Sequence, residues 1–188
     1  MIHYTTSDTI NDLQGILKLQ KANLSAALSK EEIKSQGFVT VMHNYDELKK
    51  LNEIEKHIVA KEDDKIIAYL LAMTKQSKYE IPVLIPMFEM FDTIFFEDKL
   101  ISLYNYIVVG QVCVDKQYRA QGIIDNCYAF YKDHFKSKYD FAITEIASTN
   151  MRSINAHKRI GFKEIHRYVS NDTEWSIVLW DWKKKLTY

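Results

Sequence analysis

The sequence predicts a mixed α/β fold, and three observations carry that prediction. Two apolar runs, residues 107–114 and 141–147, have the length of buried strands, and each leads into a segment with helical spacing. This strand, helix, strand, helix order precedes two more strand-like runs, 162–168 and 175–182, joined by the turn Ser170-Asn-Asp-Thr. Upstream, residues 58–61 and 66–73 flank the polar turn Glu62-Asp-Asp-Lys65 and read as a hairpin. Strands that alternate with helices and then close on a hairpin belong to a mixed sheet.

The remaining elements follow from local signals. Asp8 precedes Ile10, Leu13, Ile16, Leu17 and Leu24, so a first helix starts there with an aspartate at its N-cap. Ser29-Lys-Glu-Glu is a capping-box pattern and Gly37 a C-terminal stop, which predicts a short second helix. Leu48, Leu51 and Ile54 at three-residue steps predict another over 45–55. Pro82 and Pro86 interrupt residues 76–104. Met87, Phe88, Met90, Phe91, Ile94, Phe95 and Phe96 then form either a core helix or an adaptable cover over a ligand pocket. Ile124, Cys127, Tyr128, Tyr131 and Phe135 make a helical stripe, and the helix over 153–160 stops at Gly161.

Composition narrows the function classes. With 188 residues, 47% of them hydrophobic, the chain suits one domain with a well-buried core. Its 25 basic and 25 acidic residues balance, which gives no overall field for nucleic acid or a membrane surface. The longest apolar runs are too short to span a bilayer, and no export signal opens the sequence. Cys113 and Cys127 lie inside apolar periodic segments rather than at metal or disulfide spacings, so the expectation is a cytoplasmic protein without a catalytic metal. Trp180 and Trp182 alternate around Asp181 in a final strand that either pairs with another subunit or packs inside the sheet, and both a monomer and a homodimer stay open.

The most informative segment is Val112-Cys-Val-Asp-Lys-Gln-Tyr-Arg-Ala-Gln-Gly-Ile-Ile124, an apolar strand running through a glycine turn into a helix. The first N–H groups of such a helix lack intrahelical partners and carry partial positive charge, which suits a diphosphate. A second segment, Asn150-Met-Arg-Ser-Ile-Asn-Ala-His-Lys-Arg-Ile-Gly-Phe162, follows after room for one helix and one strand. Together the two resemble the GNAT superfamily of N-acetyltransferases. Its loop pattern R/Q-x-x-G-x-G/A is met by Arg119 and Gly122, with Ile124 in place of the last small residue. Its pattern N-x-x-A/S-x-x-x-Y-x-x-x-G-F is met by Asn150, Ser153, Gly161 and Phe162, with His157 in place of the tyrosine.

The resemblance implies the GNAT fold, a twisted mixed sheet splayed between its fourth and fifth strands with helices on both faces. It implies one domain over 1–188, with a helical N-terminal part over 1–56, an insertion near the acceptor site over 76–104 and an acyl-CoA-binding core over 107–168. The implied cosubstrate is acetyl-CoA. Main-chain groups of Cys113 and Val114 would pair with its pantetheine arm, and amides of Arg119, Ala120, Gln121, Gly122, Ile123 and Ile124 would hold the diphosphate, with Asn150 completing the site. The implied reaction is acetyl transfer to a primary amine on a small molecule or peptide. A non-catalytic acyl-CoA sensor and a long-chain N-acyltransferase are the alternatives.

The chemistry makes demands on particular residues. An amine with a pKa of about 10.4 must be deprotonated before attack, at a cost of roughly 4 to 5 kcal/mol at pH 7. Many relatives carry a glutamate where this chain has Gln111, which cannot act as a base; Glu145, in the strand before Asn150, is the expected base. His157 stands where relatives carry the acid that meets the departing thiolate, and His166 and Asp115 are reserves. Cys113 as a nucleophile lacks an adjacent base.

Overall fold

The computed structural model describes residues 1–24, 39 and 41–183. The predicted helix between Ser29 and Gly37 lies outside the described residues. The elements run β1 (Ile2–Thr6), α1 (Ile10–Asn23), α2 (Tyr45–Ile54), β2 (Ile58–Glu62), β3 (Lys65–Met73), α3 (Ile85–Thr93), β4 (Phe95–Phe96), β5 (Lys99–Leu100), β6 (Tyr106–Val114), α4 (Ile123–Phe135), β7 (Phe141–Ala147), α5 (Met151–Ile160), β8 (Lys163–Ser170) and β9 (Thr173–Asp181). Seven strands form one sheet in the order β1-β2-β3-β6-β7-β9-β8, while β4 and β5 make a separate small hairpin.

Two expectations for the N-terminal part change. The chain opens with a strand, β1, paired antiparallel to β2, rather than with a helix. Ile-His-Tyr-Thr-Thr is a half-buried edge segment and lacks the clean alternation that marks a strand. Helix α1 is capped by Thr9 instead of Asp8: the Thr9 hydroxyl accepts from Asp12 N–H, and the Asp12 carboxylate accepts from the Thr9 and Asp8 amides. That box also places Asp12 against Lys61 of β2 at 2.6 Å. The last strand is also resolved, because β9 is bonded on both sides, to β7 and β8, leaving β8 at the sheet edge.

Two cores lie on opposite faces of the sheet. One gathers Leu13, Ile16 and Leu19 of α1, Leu48 and Leu51 of α2, and Met87, Phe88 and Phe91 of α3 against Tyr69, Val108, Phe141 and Ile143. The Met- and Phe-rich segment is therefore core at these three positions and at Ile94, with Phe95 turned out at 68% exposure. The other core sets Cys127, Tyr128, Tyr131 and Phe135 of α4 against Ala68, Leu70, Ile107 and Ile146.

The splay arises at the contact between β6 and β7. These strands are parallel and pair only from Tyr106–Phe141 to Val108–Ile143. Beyond that point a bulge at Gly110 interrupts the register of β6 with β3, where Leu71 faces Gln111 but Ala72 faces Val109. A Cβ at Gly110 would lie 2.4 Å from the Met73 sulfur, so the end of the Met73 side chain would have to shift to admit one. Thr144 Oγ1 donates to Val109 O at 2.8 Å, a side-chain bond at the step where the ladder ends. The sheet opens between its fourth and fifth strands, as the resemblance implied.

Candidate active site

The opening leads into a cleft of about 410 Å³ between the end of β6, the turn before α4, and α5. Its walls include Cys113, Val114, Arg119, Ala120, Gly122, Ile123, Ile124 and Asn150. Of the residues expected at a cofactor, Gln121 alone is not in the wall; its amide nitrogen donates to Gln117 O at 2.8 Å.

Each wall has a local cause. Asp115 N–H donates to Ile67 O of β3 at 2.8 Å, so strand alternation turns the main chain of Cys113 towards β3 as well. Val112 and Val114 therefore turn their main-chain groups away from β3, to the side where Val114 O accepts from Arg119 Nε, whereas Cys113, also expected to pair with the arm, turns its own towards β3. The turn that follows bends through two left-handed residues, Ala120 at φ +60° and Gly122 at φ +74°. Gly122 is the N-cap of α4, and no side chain caps this helix. Its first N–H groups and the positive end of its dipole thus face the cleft. Ile124 packs against the α4 core while lining the cleft.

Arg119 does not simply aim its charge at a ligand. Its Nε donates to Val114 O at 3.1 Å and its Nη2 to Asn23 Oδ1 at 2.7 Å. It ties the turn to β6 and to the last residue of α1, which fixes the amides the loop presents. Asn150 caps α5 by accepting from Ser153 N–H at 3.2 Å. Asn23, Tyr118, Asp125, Arg152, Asn155 and Arg159 also line the cleft and were not anticipated. Arg152, Asn155 and Arg159 could have been found, because steps of three and four residues put them on one face of α5.

The two residues expected to move protons have different surroundings. Glu145 is half-buried on β7, on the face shared with Phe141 and Ile143, and its Oε2 accepts from the Tyr168 hydroxyl at 2.5 Å. Burial pushes its carboxyl above the usual range, partly opposed by that hydrogen bond. His157 is 2% exposed and packed against Tyr128 and Phe162, and neither it nor Glu145 lines the cleft wall. Its Nδ1 lies 2.8 Å from Ser153 O, a pure acceptor, so that nitrogen carries the proton and Nε2 accepts from the Tyr128 hydroxyl at 2.5 Å. Burial lowers its pKa to about 4, which leaves the ring neutral at pH 7. This is the arrangement of a buried histidine whose two ring nitrogens both have partners.

The other positions are also occupied. Gln111 Oε1 accepts from Gln20 and from the Tyr69 hydroxyl at 2.7 and 2.6 Å, and its amide donates to Val41 O. Asp115 pairs with Lys65 at 2.8 Å, which holds its carboxyl below the usual range against the effect of burial. His166 is exposed on β8. Cys113 and Cys127 are free and buried, and burial pushes both thiols up to about 12, which suits inert packing groups. Among the described residues, no group of His, Cys, Asp and Glu could hold a metal, and no helix is long and apolar enough to cross a membrane.

Comparison with known proteins places this geometry. Solved structures share the fold at low identity. An acetyltransferase of the GNAT family from Streptococcus agalactiae has a TM-score of 0.67 at 12% identity, covering 97% of this chain and 96% of that one. The ribosomal-protein-S18-alanine N-acetyltransferase from Escherichia coli gives 0.63 at 13%, covering 98% and 96%. A putative acetyltransferase from Salmonella typhimurium, solved with its cofactor acetyl-CoA, gives 0.62 at 12%, again covering 98% and 96%. No curated protein sequence matches at a significant level. The sequence profile of the acetyltransferase (GNAT) family matches residues 24–162, most of the chain, and the protein belongs to that family.

Proposed function

We propose that this protein transfers an acetyl group from acetyl-CoA to a primary amine by direct attack. The observation that carries the reading is the cleft itself, where the side of β6 turned away from β3 at Val112 and Val114, the uncapped start of α4 and the Asn150 end of α5 converge. A cosubstrate with a long amide-bearing arm and a diphosphate matches those surfaces in order. The arm would pair with Val114 along the splay, and the amides from Arg119 to Ile124 would receive the diphosphate. A main-chain N–H on the open side of β6 would stabilise the tetrahedral oxyanion.

Glu145 is the proposed base. It lies on β7 beyond the last pairing with β6, and burial raises its pKa above the usual carboxylate range, which strengthens it as a proton acceptor. It would take the ammonium proton directly or through one water, after which the amine nitrogen forms its bond to the acetyl carbon. The carbon–sulfur bond then breaks and the thiolate leaves. A thiol pKa of about 8.5 makes that departure undemanding, so the step needs no dedicated acid. His157 serves in this reading as a positioning residue that holds α5 on Tyr128.

A second reading, an acyl-CoA-binding sensor, is favoured by Gln111 and His157, both fully engaged within the protein where relatives carry groups for proton transfer. Isothermal titration with acetyl-CoA, followed by thiol release against a panel of small amines, amino acids and peptides, separates the two. Binding with release supports the transferase. Binding without release to any amine favours the sensor, and no binding removes both.

A further inference from the structure

Arg159 and Asp125 meet beside the start of α4, one from α5 and one from α4, and both line the cleft. Their contact is a fork: Nε to Oδ1 and Nη2 to Oδ2, each 3.0 Å. The side chains are 58% and 43% exposed, so solvent screens the pair and it adds little to stability. Its position matters more. Asp125 is the third residue of α4, and an acidic residue there commonly caps a helix start. Here no side chain caps α4, and both Asp125 oxygens turn to Arg159 instead. A carboxylate therefore stands at the end of the cleft that attracts anions, and its partner is an arginine able to bond a phosphate in the same forked way.

We propose that Arg159 is the side chain that contacts the nucleotide phosphates of the cosubstrate, and that Asp125 competes for it and so limits how tightly the nucleotide is held. The inference rests on the acyl-CoA reading of the cleft. When a phosphate arrives, Arg159 swings from or shares its fork with Asp125, and the carboxylate that remains repels the same phosphate. Tight capture is traded for release of the spent cofactor.

The test is isothermal titration of the wild type, Asp125→Asn and Arg159→Gln with coenzyme A, 3′-dephospho-coenzyme A and 4′-phosphopantetheine, with a thermal melt of each variant. Asp125→Asn is expected to bind coenzyme A several-fold more tightly, and Arg159→Gln roughly tenfold more weakly, the effect of one charge-assisted hydrogen bond. If the Arg159→Gln loss disappears with 3′-dephospho-coenzyme A, the contact is to the 3′-phosphate. If it persists there and disappears with 4′-phosphopantetheine, the contact is to the diphosphate. Equal losses on all three probes, or unchanged affinity in Asp125→Asn, overturn the proposal. A wild type that binds none of the probes overturns the cofactor reading and this inference with it, whereas normal binding with no response to either variant overturns the inference alone.

Discussion

Tyr168 on Glu145 and Tyr128 on His157 each set a tyrosine hydroxyl 2.5 Å from a titratable group, and the two pairs lie on opposite faces of the sheet. The first is half-buried beside the opening between β6 and β7, and Glu145 keeps one oxygen for other partners. The second is sealed between α4 and α5, with both ring nitrogens engaged. Burial disfavours the charged form in each. For an acid that means a higher pKa and a stronger base; for a histidine it means a lower pKa and a ring that stays neutral. One physical effect thus makes Glu145 a stronger proton acceptor and keeps the His157 ring neutral.

Replacing Glu145 by Gln tests that contrast most severely. The variant should fold normally and lose about 10²- to 10⁴-fold in kcat, the range general base catalysis contributes, with acetyl-CoA affinity retained. A kcat within threefold of wild type in steady-state thiol-release assays would remove Glu145 from the chemistry.

Acid should expose the histidine side of the comparison. His157 and His43 titrate near 4 and His57 near 3, each lowered chiefly by burial from a usual value of 6.5. A depressed folded pKa contributes stability that is full above the unfolded value and is lost as pH falls through the folded one. Stability should therefore decline from about pH 6.5 towards pH 4, by on the order of 3 kcal/mol per histidine at 1.36 kcal/mol per unit. Urea denaturation between pH 7.5 and 4.5 measures it, and a flat profile would contradict the burial of these rings.

His157→Phe isolates one of the three. It leaves the Tyr128 hydroxyl buried without its acceptor, at a cost of about 1–3 kcal/mol, and makes the acid decline shallower. Its kcat should stay within a few-fold of wild type. A hundredfold loss in a folded variant would instead restore His157 as the thiolate's acid.

The smallest expected effect is that of Tyr168→Phe. Its hydroxyl lowers the Glu145 pKa, so its removal lets that pKa rise further. The acidic limb of the kcat profile should move to higher pH with the plateau little changed. A shift to lower pH would mean that Tyr168 does not act on Glu145.

Much of the fold was legible from the chain. The runs 141–147 and 107–114 carry enough consecutive apolar residues to specify strands, and Gly161 ends α5 where its sequence stops being helical. The glycine turn and the two family-like segments located the cleft because a strand, a turn and a helix start are contiguous in sequence. Strand β1 was not legible, since a five-residue edge segment with one exposed and four half-buried positions shows no contrast between faces.

What the sequence by itself determined, then, is the order of elements from β6 onward and the backbone of the glycine turn before α4, because local spacing, capping and glycine conformation depend on neighbours within a few residues. The tertiary structure alone decided what the side chains there can do. His157 meets Tyr128 across 29 residues, Gln111 meets Gln20 across 91, and Arg119 meets Asn23 across 96. Protonation and charge depend on burial and on such distant partners, and only the packing of α1, α4 and α5 onto the opened sheet brings them together.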